Sequence, residues 1–149
     1  MSWKIIITDG LEESGIKALQ SHGFQVDLKK LEAGELANIL PNYQGIIVRS
    51  ATKLREDLIN KCPNLIFIAR AGVGLDNIDL DAARANGIKV INTPASSSRS
   101  VAELSMAHIY NLSRNLQISN RNLNDKSSFI ELKKNLSKAT ELKGKTLLI

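Results

Sequence analysis

Leu65-Ile66-Phe67-Ile68-Ala69-Arg70-Ala71-Gly72-Val73-Gly74 decides the fold: an apolar run with almost no polar alternation feeds directly into a loop with two glycines. A strand of that kind is buried on both faces, as in a parallel sheet covered by helices. Upstream, Lys4 to Asp9, Phe24 to Leu28 and Gly45 to Arg49 have the same character, and downstream Ile88 to Asn92 makes a fifth. Between them Glu12 to Gly23, Leu31 to Leu40, Arg55 to Cys62 and Leu80 to Ala85 read as helices. Their stops are Gly23, Pro41, the Cys62-Pro63 pair and Gly87.

This alternation predicts an α/β chain whose first part is a flavodoxin-like open parallel sheet. After Pro94 the rhythm changes. Ser100, with Glu103 three residues on, has the pattern of a capping box. A long apolar helix is expected from Val101 to about Leu116, of the sort buried between two bodies. Asn120 to Leu142 is polar, with Phe129 and Leu132 as anchors, and Thr146 to Ile149 reads as another apolar strand after the Lys143-Gly144-Lys145 turn. That last strand is expected to open a second α/β domain, so that the polypeptide reads as the front of something larger.

Composition narrows the function classes. A chain of 149 residues, 43% hydrophobic and 23% charged, can bury one proper core without disulfide or metal staples. Cys62 is the only cysteine, which excludes an internal disulfide and a cysteine metal site and points to a reducing, cytoplasmic compartment. No apolar run approaches the roughly 18 residues of a membrane span, and Ile5 to Ile7 is too short for a signal-peptide core. The net charge of +5 invites a nucleic-acid reading. From Arg121 onward, however, seven Lys or Arg face three Asp or Glu, so +4 of the +5 lies in the tail, and of the six aromatic residues only Phe129 falls there, which gives stacking on bases little support. A solvated lysine-rich arm is the simpler reading, with no nucleic-acid and no membrane partner.

In open parallel sheets ligands bind outside the carboxyl ends of the strands. There stand Asp9-Gly10, Arg49-Ser50, Gly72-Val73-Gly74 and Thr93-Pro94. Two glycines beside a strand end let backbone N–H groups converge on an anion, and Arg49 can add a bidentate cation, which together suggest a small carboxylate or phosphate. Bland alternatives stand beside each. Gly72 and Gly74 also read as turn glycines of positive φ, Arg49 as the partner of a surface carboxylate, and Asp9 as a turn or N-cap residue. His22 reads as a surface residue, His108 as a packed one, and Cys62 as packing. Asn77 stands where a dinucleotide fingerprint beginning at Gly72 would need glycine. Arg49 and Thr93 stand where a phosphoacceptor receiver domain needs an acid and a lysine.

Val48-Arg49-Ser50-Ala51-Thr52, Arg70 to Asp79, Asn92-Thr93-Pro94 and Arg99-Ser100-Val101-Ala102-Glu103-Leu104, in that order and spacing, resemble the D-isomer-specific 2-hydroxyacid dehydrogenases, above all the members that oxidise 3-phosphoglycerate to 3-phosphohydroxypyruvate on the way to serine. The resemblance runs from Lys4 to Ile149. It implies a substrate domain over residues 1–98 and, over 99–149, an inter-domain helix, an arm and the first strand of an incomplete Rossmann nucleotide-binding domain. It also implies that the Gly72, Val73 and Gly74 backbone holds the substrate carboxylate and that Arg49 and Ser50 face the substrate, with Arg49 on the phosphate. Val73 and Val101 would lie by the NAD cofactor, no metal is used, and the whole enzyme would be a homodimer. Ser97 stands where many such enzymes carry a longer-reaching Asn, which keeps glyoxylate and hydroxypyruvate as alternative substrates. The family's catalytic Arg, Glu and His belong beyond Ile149, so the chain alone is expected to be inactive. A reading of another class is a stand-alone, non-catalytic module that binds an anion or a partner chain.

Overall fold

The five apolar runs form a single parallel sheet in the computed structural model, which describes residues 2–31, 34–123 and 126–148. Its strands are β1 (Lys4–Ile7), β2 (Gln25–Leu28), β3 (Gly45–Val48), β4 (Phe67–Arg70) and β5 (Lys89–Asn92), in the order β2-β1-β3-β4-β5. Right-handed crossovers assign the helices to faces. Helix α1 (Glu13–Ser21) carries the chain from β1 outward to β2. Helices α2 (Glu35–Ile39), α3 (Glu56–Ile59) and α4 (Leu80–Ala85) all carry it in the opposite direction, and so cover the other face.

The packing follows that division. On the face of α2 to α4, Ile6, Ile46, Val48 and Ile68 pack with Leu40, Leu54, Ile59 and Ala83, all of them essentially inaccessible. On the α1 face, Ile5, Ile7 and Ile47 pack with Ile16, Leu19 and Val26. Each fully buried isoleucine or leucine contributes roughly 1.5–3 kcal/mol relative to exposure, which is why four-residue strands suffice. On the same face Gly45 pairs in register with Phe67, whose ring lies over it and whose centroid is 6.2 Å from that of Trp3.

Several boundaries differ from expectation for local reasons. Of the expected Leu31 to Leu40 helix, residues 32 and 33 lie outside the described residues. Gly34 takes φ 100°, and α2 begins only at Glu35, ending in a 3-10 turn over Leu40–Asn42 around Pro41. Helix α3 stops at Ile59, three residues before Cys62, which is buried as expected and whose thiol donates to the Leu58 carbonyl at 3.2 Å. Ser100 is not an N-cap: the long helix α5 spans Ser98–Arg114 and already includes it.

The chain divides into two compact units, Met1–Ser97 and Ser98–Ile149. The first holds the sheet. In the second, α5 is followed by α6 (Leu116–Asn122) and α7 (Lys126–Leu136). Asn115, in the left-handed region at φ 53°, separates α5 from α6, so the expected helix ends at Arg114, about two residues earlier than its apolar pattern suggests. No residue of α5 is buried, contrary to expectation: Val101, Leu104 and Tyr110 are each half exposed or more, and His108 is exposed rather than packed. An apolar stripe states a demand for a partner and does not supply one. Helix α7 lies in the stretch read as polar, with Leu132 buried and Phe129 exposed. Thr146 to Leu148 forms no strand, since a strand exists only through ladder bonds to a neighbour and none is made there; Ile149 lies outside the described residues.

Candidate functional site

Strands β3 and β4 are neighbours, and Val48 pairs with Arg70, so the segments that follow them emerge side by side. Arg49 and Ser50 leave β3 exposed. The loop after β4 is fastened on both flanks: Ala71 N–H donates to Val48 O at 2.8 Å, Thr93 N–H to Gly72 O at 3.0 Å, and the Asn92 amide to Val73 O at 2.7 Å. The carbonyls of the loop are thereby turned toward β5 and used. The N–H groups of Val73 and Gly74 donate to no described residue, and they are the donors an anion would take.

Neither Gly72 nor Gly74 has positive φ, which removes the turn-glycine alternative. A side chain at either position would instead have to push aside the far end of a neighbouring polar side chain. A Cβ on Gly72 would stand 2.5 Å from the Nη1 of Arg70, and one on Gly74 3.0 Å from a carboxylate oxygen of Asp76. The Arg70 guanidinium folds back over the loop, and its Nε is buried without a hydrogen-bond partner. A buried donor left unpaired costs about 1–3 kcal/mol, so an acceptor arriving at this loop has an interaction waiting. Arg70 was legible only as the last residue of a strand. Its return over Gly72 places a cation on the glycine loop itself, in addition to the exposed Arg49, which makes no ion pair with any described residue.

The loop that carries Arg49 is held by residues distant in sequence. One oxygen of Asp9 accepts from the N–H of Arg49 at 2.8 Å and of Thr52 at 3.0 Å, and the other accepts from the Thr52 hydroxyl at 2.6 Å. Asn77, 4% exposed, donates its amide to Arg49 O at 3.0 Å and Thr52 O at 2.7 Å. Asp9 is therefore not a local turn or cap residue; the N-cap of α1 is Glu12. Partial burial pushes the Asp9 carboxyl up, but the hydrogen bonds from Thr52, Arg49 and Ala51 together outweigh it and hold the group below its ordinary 3.8. A carboxylate depressed in the folded state stabilises the fold above its unfolded value and loses that contribution as pH falls through the folded one. The stability gap between the native chain and Asp9→Asn is thus expected to narrow on acidification below pH 3.8, as read by thermal unfolding at a series of pH values.

The remaining expected residues spread outward. Ser97 is half-buried in the turn after β5, Val73 is 48% exposed on the glycine loop, and Val101 lies exposed on α5 in the second unit. Arg49, Ser50 and Gly72 to Gly74 share one end of the sheet. A cavity of about 1000 Å³ at the ends of β1 and β2, lined by Thr8, Asp9, Lys29, Lys30, Thr52 and Lys53, includes neither Arg49 nor the glycine loop. Among the described residues no group of His, Cys, Asp or Glu is arranged to hold a metal, and no helix is long and apolar enough to cross a membrane.

A family model described as D-isomer specific 2-hydroxyacid dehydrogenase, catalytic domain, matches residues 5–142. The D-3-phosphoglycerate dehydrogenase of Homo sapiens is 43% identical over 97% of the chain and 26% of its own length. The hydroxypyruvate reductase of Thermotoga maritima is 38% identical over 97% of the chain and 46% of its own. Among solved structures, the NAD+-bound 3-phosphoglycerate dehydrogenase of Entamoeba histolytica is similar with a TM-score of 0.66 and 31% identity, over 76% of the chain and 40% of that protein. The D-mandelate dehydrogenase of Rhodotorula graminis reaches 0.80 at 18% identity, over 94% and 46%, a likeness of fold alone. The chain spans between about a quarter and a half of the length of these relatives.

Proposed function

The chain belongs to the D-isomer-specific 2-hydroxyacid dehydrogenase family, and from that premise we propose that it supplies the substrate-binding part of an NAD-dependent oxidoreductase acting on the CH–OH of 3-phosphoglycerate to give 3-phosphohydroxypyruvate. One observation carries the reading: the N–H groups of Val73 and Gly74, which donate to no described residue, lie in the loop after β4, beside the end of β3 from which the exposed Arg49 leaves. A substrate with a carboxylate at one end and a phosphate at the other asks for two anion sites. The N–H pair takes the carboxylate, while Arg49, with the Ser50 hydroxyl beside it, takes the phosphate in the fork geometry suited to guanidinium. Ser97 offers a further, short hydrogen bond.

Bound NAD would supply the acceptor for the hydride that leaves the carbinol carbon. The residues present do not fit the dinucleotide by themselves: Asn77 interrupts the glycine pattern and is spent on Arg49 and Thr52, and the exposed Val73 and Val101 offer apolar contact only. The part of this chain is to hold the substrate's two charged ends so that the carbinol carbon faces outward. Acid–base chemistry requires an imidazole or equivalent within reach of the hydroxyl; within the unit that carries the glycine loop the one histidine is His22, exposed at the C-terminal end of α1, and His108 lies exposed on α5 of the second unit. Exposed apolar residues such as Leu112 and Ile130 support a homodimer of the whole enzyme, and the lone, buried Cys62 supports a reducing cytoplasm.

Titration of the isotope-labelled chain with 3-phosphoglycerate, D-glycerate and glyoxylate, followed by NMR, tests this. Saturable shifts at Gly72 to Gly74 and Arg49 are expected with 3-phosphoglycerate at millimolar concentration and weaker ones without the phosphate. Equal response to glyoxylate would select the unphosphorylated substrates, consistent with Ser97 and with the relative named a hydroxypyruvate reductase. No shift at all would sink the site, and NADH formation by the pure chain would refute its inactivity.

A further inference from the structure

Where the strand order of an open parallel sheet reverses, the loops diverge and leave a crevice at the carboxyl ends, the usual seat of a ligand's charged group. In this sheet the reversal lies between β1 and β3. The donors along the wall of that crevice are taken by the protein itself: the Asp9 carboxylate takes the N–H of Arg49, the N–H of Thr52 and the Thr52 hydroxyl, and that hydroxyl lies 2.8 Å from the hydroxyl of Thr8. Two backbone N–H groups and a hydroxyl around one carboxylate are the donor set that a crevice of this kind offers to an external carboxylate or phosphate.

We propose that Asp9 is a built-in anion that occupies the switch-point nest, excludes an external anion from it and, together with Asn77, acts as a positioning residue for Arg49 and Ser50. The geometry of the 49–52 loop carries this. Its first residue is held at N–H by Asp9 and at C=O by Asn77, and its last residue is held at N–H by Asp9 and at C=O by Asn77. Both ends of the loop are thus gripped from β1 on one side and from the β4 loop on the other. The Asn77 main chain adds a third tie through Leu54 N–H, at 2.8 Å. Arg49 and Ser50 are left as the side chains with no grip on them, exposed beside the glycine loop. With the nest occupied from within, the external anion is received one strand further along, between β3 and β4. The exclusion from the nest stands by itself; the consequence for substrate rests on the function proposed above.

The test uses the labelled chain and sodium formate, which is the size of the group that Asp9→Ala removes. In Asp9→Ala, formate is expected to produce saturable shifts at the Arg49 and Thr52 amides that the native chain does not show. The affinity for 3-phosphoglycerate should fall about tenfold and recover as formate saturates. Asp9→Asn, which can accept the two N–H bonds and donate to the Thr52 hydroxyl, should keep most of the native affinity. A folded Asp9→Ala chain whose Arg49 and Thr52 amides ignore formate overturns the proposal, and so does native 3-phosphoglycerate affinity in that variant. If Asp9→Ala does not fold, hydrogen exchange decides in Asp9→Asn: faster exchange confined to the Arg49 and Thr52 amides supports the built-in anion, and unchanged exchange overturns it. A native chain that never binds 3-phosphoglycerate would defeat the proposed function, while the formate response would still decide the role of Asp9.

Discussion

Alanine at position 45 is expected to destabilise the sheet by about 1–3 kcal/mol. Two effects of opposite sign compete there. Glycine in a strand interior is costly, and relieving that cost would stabilise the fold by roughly 0.5–1 kcal/mol. Against it, a Cβ on Gly45 would stand 2.2 Å from the Phe67 ring, with three ring atoms inside 3 Å. The ring cannot simply swing away, because it lies among α1-face residues and beside Trp3, itself 6.2 Å from Phe24. Overlap therefore outweighs entropy. Urea unfolding should show a lower midpoint with an unchanged slope. Phe67→Leu supplies the control, since the substitution at Gly45 should cost clearly less in that background. Strictly additive costs would mean that the ring is not what forbids a side chain.

Arg49→Ala is expected to weaken 3-phosphoglycerate binding about 10- to 100-fold while leaving the fold almost untouched. Hydrogen bonds from a charged donor to a phosphate are worth about 1.5–3 kcal/mol each when made in a partly desolvated site, and every 1.4 kcal/mol is about a factor of ten. The side chain is exposed and binds no described residue, so its loss should change stability by no more than about 0.5 kcal/mol. The bonds that hold the loop use the backbone N–H and C=O of Arg49, which alanine retains. Arg49→Lys keeps the charge without the fork and should fall between the two. D-Glycerate, which has no phosphate, should lose little affinity in either variant. A native affinity for 3-phosphoglycerate in Arg49→Ala, measured by the same titration, would remove Arg49 from the site.

Five strands and their parallel order were legible because each strand is an uninterrupted apolar run, and only a sheet covered on both faces tolerates such runs. The strand-end positions of Arg49 and of Gly72 to Gly74 followed from the same reading. What stayed hidden depends on contacts between distant segments. Asp9 and Asn77 look like turn residues locally, and only the adjacency of β1, β3 and β4 brings them to opposite sides of the same loop. Arg70 reads as an ordinary strand end until its guanidinium is found over Gly72. Helix α7 was missed because Phe129, Leu132 and Leu136, although spaced for a helix, are diluted by lysine and serine. Thr146 to Leu148 was overread for the opposite reason: an apolar run records a preference for burial, and a strand also needs a partner.

The order of the sheet also bears on solubility. Two of its three inner strands, β1 and β3, contain Ile5-Ile6-Ile7 and Ile46-Ile47-Val48, short, uncharged, β-branched segments of the kind that stack into cross-β fibrils when exposed. Both are paired on each side by other strands. The edges fall instead to β2, which carries an exposed Asp27, and to β5, which begins at an exposed Lys89. Short edges bearing charge discourage a second molecule from adding to the ladder. Native molecules can therefore meet edge to edge without templating one another, and precipitation should begin with opening of the sheet, so that any substitution loosening the β1–β3 pair raises aggregation in proportion to the opened fraction.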